Sequence, residues 1–144
     1  MSESNKLIEL NVANNELTGD IPGHFLLLPN IDMIDLSQNK FSSINKGKPW
    51  SKNASAGAKS YVSLAGNRNL NIDLPSFMEI FSRELNHRVG PLVLNLSNCG
   101  IDSPLSASVF YFEMTTCDLH KNKLYGEIPD IFADTSILTY FDIS

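Results

Sequence analysis

A hydroxyl at Ser97, an imidazole at His120 and a second hydroxyl at Ser144 stand at equivalent points of a recurring pattern, with a carboxylate at Asp118 two residues before the histidine. Together they supply the groups of a hydrolytic triad: nucleophile, base and orienting acid. A working triad also needs the acid to hold the imidazole and a dry, preformed oxyanion site. An open sheet face is expected to supply neither, so no catalytic residue is assigned. Cys117 and His120 have ligand-like spacing for a metal, but strand alternation sends one inward and the other outward. His24 and His87 stand apart from other ligands, and no phosphate-cradling glycine loop occurs, so neither a metal nor a cofactor is expected. Cys99 and Cys117 should lie roughly 15 Å apart at strand-like rise. A disulfide needs alpha carbons within about 7 Å, so both are expected as free buried thiols.

These groups take their positions from a repeat. The stretch Leu7 to Pro22 reads L-x-x-L-x-L-x-x-N-x-L-x-G-x-I-P without a gap, and Phe25 and Leu28 carry the apolar spacing onward. The next unit has Ile31, Ile34, Leu36, Asn39 and Phe41 in matching places. Val62, Leu64 and Asn67 restart the pattern, with one extra residue before Leu70, Leu74 and Pro75. Leu94, Leu96 and Ile101 follow, with Cys99 in the asparagine position. Met114, Cys117, Leu119, Asn122, Leu124, Gly126, Ile128, Pro129 and Phe132 make the best late copy, and Leu138, Phe141 and Ile143 open another.

Each recurring residue type has a physical task. The alternating Leu10 and Val12 belong to a short strand whose inward side chains join the core. One such strand per repeat makes a parallel sheet on the concave side of a solenoid. The chain must then turn with its backbone buried, and buried amides need partners. The side chains of Asn15, Asn39, Asn67 and Asn122 can donate to and accept from neighbouring coils, forming a ladder. Gly19 and Gly126 are expected to relieve a crowded or left-handed backbone position. Pro22, Pro75 and Pro129 fix the entry to the convex segment.

The pattern resembles the leucine-rich repeat, and the L-x-G-x-I-P tails at Leu17–Pro22 and Leu124–Pro129 resemble its plant-type class. That class includes receptor-like kinase and receptor-like protein ectodomains and polygalacturonase-inhibiting proteins. The resemblance implies an α/β repeat solenoid, a horseshoe with a parallel concave sheet and an irregular or short-helical convex side. Ser42-Ser43-Ile44 departs from the tail, and the spacings from Asn39 to Asn67 and from Asn67 to Cys99 exceed the standard.

The expected organisation is a single solenoid over residues 1–144, with units near 7–30, 31–58, 59–90, 91–113, 114–137 and 138–144. Natural solenoids cap their terminal layers, and neither end here offers a capping helix or cysteine-pair motif, so a segment truncated at both ends is expected. Two stretches break the period. Asn45 to Gly57 reads as a surface loop in which Trp50, between Lys48 and Lys52, could anchor a partner or fold back over the convex core. Pro75 to Arg88 reads as a helix, with Ser76 and Glu79 as capping box and Phe77, Ile80, Phe81 and Leu85 on one face.

In a solenoid of this kind the outward strand residues make the contact surface. One column holds Asn11, Asp35, Ser63, Asn95, Asp118 and Asp142, polar throughout and acidic toward the C-terminus. The next holds Ala13, Ser37, Ala65, Ser97, His120 and Ser144, and Tyr140 also faces outward. Asp118 and Asp142 should repel each other, a cost that a cationic or hydroxyl-rich ligand would relieve, although a solvated sheet face accounts for the polarity equally well. Of the two sequons, at Asn53 and Asn95, the second would place a glycan on the concave face.

A formal charge of −5 disfavours nucleic acid. The longest apolar run, Phe25-Leu26-Leu27-Leu28, is too short to span a bilayer. The expected function is binding of a protein, peptide or carbohydrate ligand within a receptor-like ectodomain at the cell surface. The alternatives are an intracellular scaffold or a secreted enzyme inhibitor.

Overall fold

The computed structural model describes residues 6–28, 30–45, 60–78, 92–107, 114–130 and 137–144. Trp50, Asn53, Glu79, Ile80, Phe81, Leu85 and His87, which carried several expectations above, lie outside them.

Short strands recur once per coil: β1 (Glu9–Asn11), β3 (Met33–Asp35), β5 (Tyr61–Ser63), β6 (Leu92–Asn95), β8 (Met114–Asp118) and β10 (Tyr140–Asp142). They pair in parallel as one six-stranded sheet in the order β1-β3-β5-β6-β8-β10. This is the leucine-rich-repeat solenoid, with successive coils stacked along one axis. The inward residue of each central strand (Ile34, Val62, Leu94, Cys117) has no exposed surface. Leu36, Leu64, Leu96 and Leu119, two positions later, are buried beside them, and Ile21, Leu26, Phe41, Leu70, Leu74 and Ile101 close the core from the far side. Each such side chain contributes about 1.5–3 kcal/mol by leaving water, which offsets the cost of ordering so many short elements.

Two pairs of strands form a second layer that the sequence reading did not foresee. β2 (Thr18–Pro22) pairs with β4 (Lys40–Asn45), and β7 (Asp102–Pro104) pairs with β9 (Lys123–Tyr125), both in parallel. The first L-x-G-x-I-P tail thus supplies a strand as well as a turn. Gly19 has φ +84° with nothing near the place of a Cβ, so it serves a left-handed conformation and not a crowded one. The departure at Ser42-Ser43-Ile44 does not break the pairing, because the register shifts between Gly19 and Asp20 and Ile21 still lies opposite Ile44. Pro22 ends β2 and caps a 3-10 turn over Gly23–Leu27.

The helix in the third coil is capped three residues ahead of the expected Ser76. Residues 74–78 are helical, and Asp73 caps them: its Oδ2 accepts the Ser76 amide at 3.0 Å, and its carbonyl accepts that of Phe77 at 2.9 Å. Ser76 lies inside the first turn instead of at the cap. An aspartate ahead of proline wins because Pro75 has no amide to satisfy and its fixed φ suits a first turn.

Candidate functional site

The turn after each concave strand decides what the outward side chains can do. At Asn14, Gln38, Gly66, Asn98 and Lys121 the backbone takes a positive φ between 53° and 76°. Each of these residues turns its amide toward the next coil: Asn14 to Ser37, Gln38 to Ala65, Gly66 to Ser97, Asn98 to His120 and Lys121 to Ser144, at 2.6–3.0 Å between nitrogen and carbonyl oxygen. After each of the last four, the residue that follows (Asn39, Asn67, Cys99, Asn122) turns toward the core. Asn39 donates through Nδ2 to Val12 O of the preceding coil (2.9 Å) and accepts the Leu17 amide (3.0 Å). Asn67 repeats this with Leu36 O (3.1 Å) and the Phe41 amide (3.1 Å). Asn122 does so with Leu96 O (2.9 Å) and the Cys99 and Ile101 amides (3.1 and 3.0 Å). Asn15 is exposed and donates within its own turn, to Val12 O and Ala13 O.

The polar column is brought together in register. Asn11 lies opposite Asp35, Asp35 opposite Ser63, Ser63 opposite Asn95, Asn95 opposite Asp118, and Asp118 opposite Asp142. Sequence reasoning missed a local task that these residues share. In every coil the side-chain oxygen accepts the amide two residues later: Asn11 from Ala13, Asp35 from Ser37, Asn95 from Ser97, Asp118 from His120 and Asp142 from Ser144, all at 2.9–3.1 Å. Ser63 takes the same role more weakly, at 3.5 Å from Ala65. The preference of Asx residues for this turn explains why the column is polar, and a signal for it was visible in the recurrence of Asn and Asp. Ser63 is only 1% exposed, so its short side chain leaves a gap in the accessible column.

A second outward column runs beside the first: Glu9, Met33, Tyr61, Val93, Thr116 and Tyr140 are also in register. Of these only Tyr140 was picked out from sequence. Met33, Tyr61, Val93 and Thr116 are partly exposed and Tyr140 is 48% exposed, so an apolar and aromatic stripe flanks the polar one. Alternation turns these residues outward too, but their mixed types form no recurring signature like that of the Asn and Asp column, which hid this stripe.

The two columns converge chemically at β8 and β10. His120 Nδ1 lies 2.6 Å from Asp118 Oδ1, so the acid does hold the imidazole, against the expectation that an open sheet could not. The reason is the Asx turn, which folds residue 120 back over residue 118. The Ser97 and Ser144 amides and the Ser144 hydroxyl are engaged by Asn95 and Asp142 respectively, tying both serines to their own strand ends. Asp142 also accepts a hydrogen bond from the Tyr140 hydroxyl (3.1 Å). The Ser144 amide and hydroxyl, with help from Tyr140 and His120, hold the Asp142 carboxyl below the usual aspartate range, while the bond to Asp142 raises the Tyr140 phenol. Ligand atoms of Asp118, His120 and Asp142 lie within 4.8 Å of one another.

Cys99 and Cys117 are free and buried, and burial pushes both thiols up to about 12. Neither reaches the concave surface, so the Cys117–His120 spacing brings no shared site.

Fold, ladder and tail define a leucine-rich-repeat solenoid of the plant-type class. The sequence model of the Leucine Rich Repeat family matches residues 6–28. Over most of its length the chain is similar to receptor-like proteins of Arabidopsis thaliana. It is 25% identical to Receptor-like protein 18 over 93% of this chain and 15% of the relative. It is 22% identical to Receptor-like protein 32 over 90% and 14%, and 30% identical to Receptor-like protein 35 over 83% and 12%. The chain therefore spans 12–15% of the length of these relatives. No solved structure gives a significant match.

Proposed function

We propose that the chain is a recognition segment of a receptor-like protein, binding a protein or peptide ligand on the concave face outside the cell. The supporting observation is the pair of in-register columns, one polar and acidic toward β10, the other apolar and aromatic. Together they offer an extended ligand hydrogen-bond partners and side-chain contact along one line. Asn95, Asp118, His120, Tyr140 and Asp142 form the end richest in polar contacts, with Asn11 and Asp35 extending it toward β1; Trp50 is retained as a loop anchor. The relatives, each named a receptor-like protein, favour this reading over an intracellular scaffold or an enzyme inhibitor.

The test is selection of a random peptide library on the immobilised chain, followed by affinity measurement on the Tyr61→Ala, Tyr140→Ala and Asp118→Asn/Asp142→Asn variants. Concave substitutions should weaken the selected peptides at least tenfold, while Lys40→Ala in the second sheet leaves them unchanged. Peptides indifferent to every concave substitution would remove this face from consideration.

A further inference from the structure

We propose that Asp118, His120 and Asp142 form a binding site for a divalent transition metal of the zinc class. Three donors from two adjacent strands converge: an imidazole nitrogen and two carboxylates, with ligand atoms within 4.8 Å of one another. Asp118 and Asp142 are direct register partners, so the backbone sets their spacing. Zinc bonds of about 2.0–2.2 Å in tetrahedral geometry place ligand atoms roughly 3.4 Å apart, inside the 4.8 Å span of this cluster. Hydrogen bonds that orient the two carboxylates are already in place. Asp118 Oδ1 accepts the His120 amide (3.1 Å), and Asp142 accepts the Ser144 amide (2.9 Å) and the Tyr140 hydroxyl (3.1 Å).

The 2.6 Å contact between His120 Nδ1 and Asp118 Oδ1 already holds two of the three donors side by side. The mixed nitrogen and oxygen donor set suits zinc or nickel over magnesium, which prefers oxygen alone. Side-chain exposures of 30% for His120 and 15% for Asp118 leave the site open, so a fourth position is free for water or for a donor from a bound ligand. The buried thiols of Cys99 and Cys117 do not compete, since each is sealed in the core. This site does not depend on the partner-binding reading.

Calorimetric titration of the full chain with zinc chloride alone tests it. One zinc ion should bind with a dissociation constant in the micromolar range, magnesium should not, and His120→Gln and Asp142→Asn should each weaken zinc at least tenfold. Asp142→Asn keeps the oxygen that accepts the Ser144 amide, so loss of binding there cannot be put down to unfolding. Asp35→Asn, at the same column position on β3, should leave zinc binding intact. Absence of saturable binding below millimolar zinc, or binding indifferent to both site variants, would overturn the assignment. Peptide binding is measured apart from this, so either reading can fail alone.

Discussion

The Cys99 thiol lies 3.1 Å from the Leu64 carbonyl oxygen, the place that an asparagine amide takes in the coils on either side. A thiol can donate there, but it has no carbonyl oxygen to accept an amide from the preceding coil. That coil carries an extra residue before Leu70, and the Leu70 amide turns back to Asn67 O at 2.9 Å. Loss of the acceptor and insertion of the residue thus go together: the Leu70 amide, satisfied locally, needs no asparagine oxygen at 99.

The ladder should therefore be graded in strength. Asn67→Ala removes a fully buried amide and leaves the Leu36 and Leu64 carbonyls and the Phe41 N–H without it, and should cost about 3 kcal/mol. Asn15→Ala removes only exposed bonds within one turn and should cost less than about 1 kcal/mol. Urea midpoints of the two variants check the ordering; equal losses would contradict it.

Both thiols should be silent in the native state. Burial raises each to about 12 from 9.0, so a thiol reagent at neutral pH should label neither until the chain unfolds, when it should label both. Because the folded value lies above the unfolded one, the stabilisation is complete below pH 9 and is lost as pH rises toward 12. Denaturation midpoints should accordingly fall between pH 8.5 and 10.5 less steeply in a Cys99→Ala/Cys117→Ala variant than in the parent.

Backbone conformation makes opposite predictions for two neighbouring turns. Lys121 has φ +56°, so Lys121→Gly should stabilise by about 0.5–1 kcal/mol, the relief of strain exceeding the added freedom of the unfolded chain. Gly100 has φ +74°, and a Cβ there would stand 2.4 Å from the Arg68 carbonyl oxygen. Gly100→Ala should cost more than about 2 kcal/mol, because two backbones must part. Thermal melts of the pair test both signs.

The polar column should separate its two tasks by substitution. Asn95→Ala loses the bond to the Ser97 amide and should cost about 1 kcal/mol, whereas Asn95→Asp keeps the acceptor and should cost little. Asp142, stabilised as the anion chiefly by the Ser144 amide, should titrate by carbon-detected NMR below an ordinary aspartate. Whatever stability it lends is present above the unfolded value and disappears as pH falls through the lowered one. A midpoint at or above the ordinary value would contradict the geometry.

Much of the fold was legible because its signals are local and repeated. Leu10 and Val12 alternate, Asn39 follows Leu36 at the same interval as Asn67 follows Leu64, and one register then serves every coil. The site was less legible. The side-chain oxygens of Asn11, Asp35 and Asn95 read as free ligand contacts until each was seen to accept an amide of its own chain, and Ser63 read as surface until it proved buried. The stripe of Met33, Tyr61 and Val93 carried no compositional mark. The helix start was misplaced because Asp73 and Ser76 are both good caps and only the position of Pro75 decides between them.

By itself the sequence determined that the chain coils with a repeating strand, which side chains turn inward, and that asparagines would serve the buried turns. These follow from strand alternation, side-chain size and the need of buried amides for partners, all of which act within one coil. Only the tertiary structure decided that Asp142 would join Asp118 and His120 from the next strand, and that two columns would run side by side. Such meetings depend on the register between coils and on left-handed turns at residues such as Gln38 and Lys121, whose amides reach the next coil. No spacing within a single repeat encodes them.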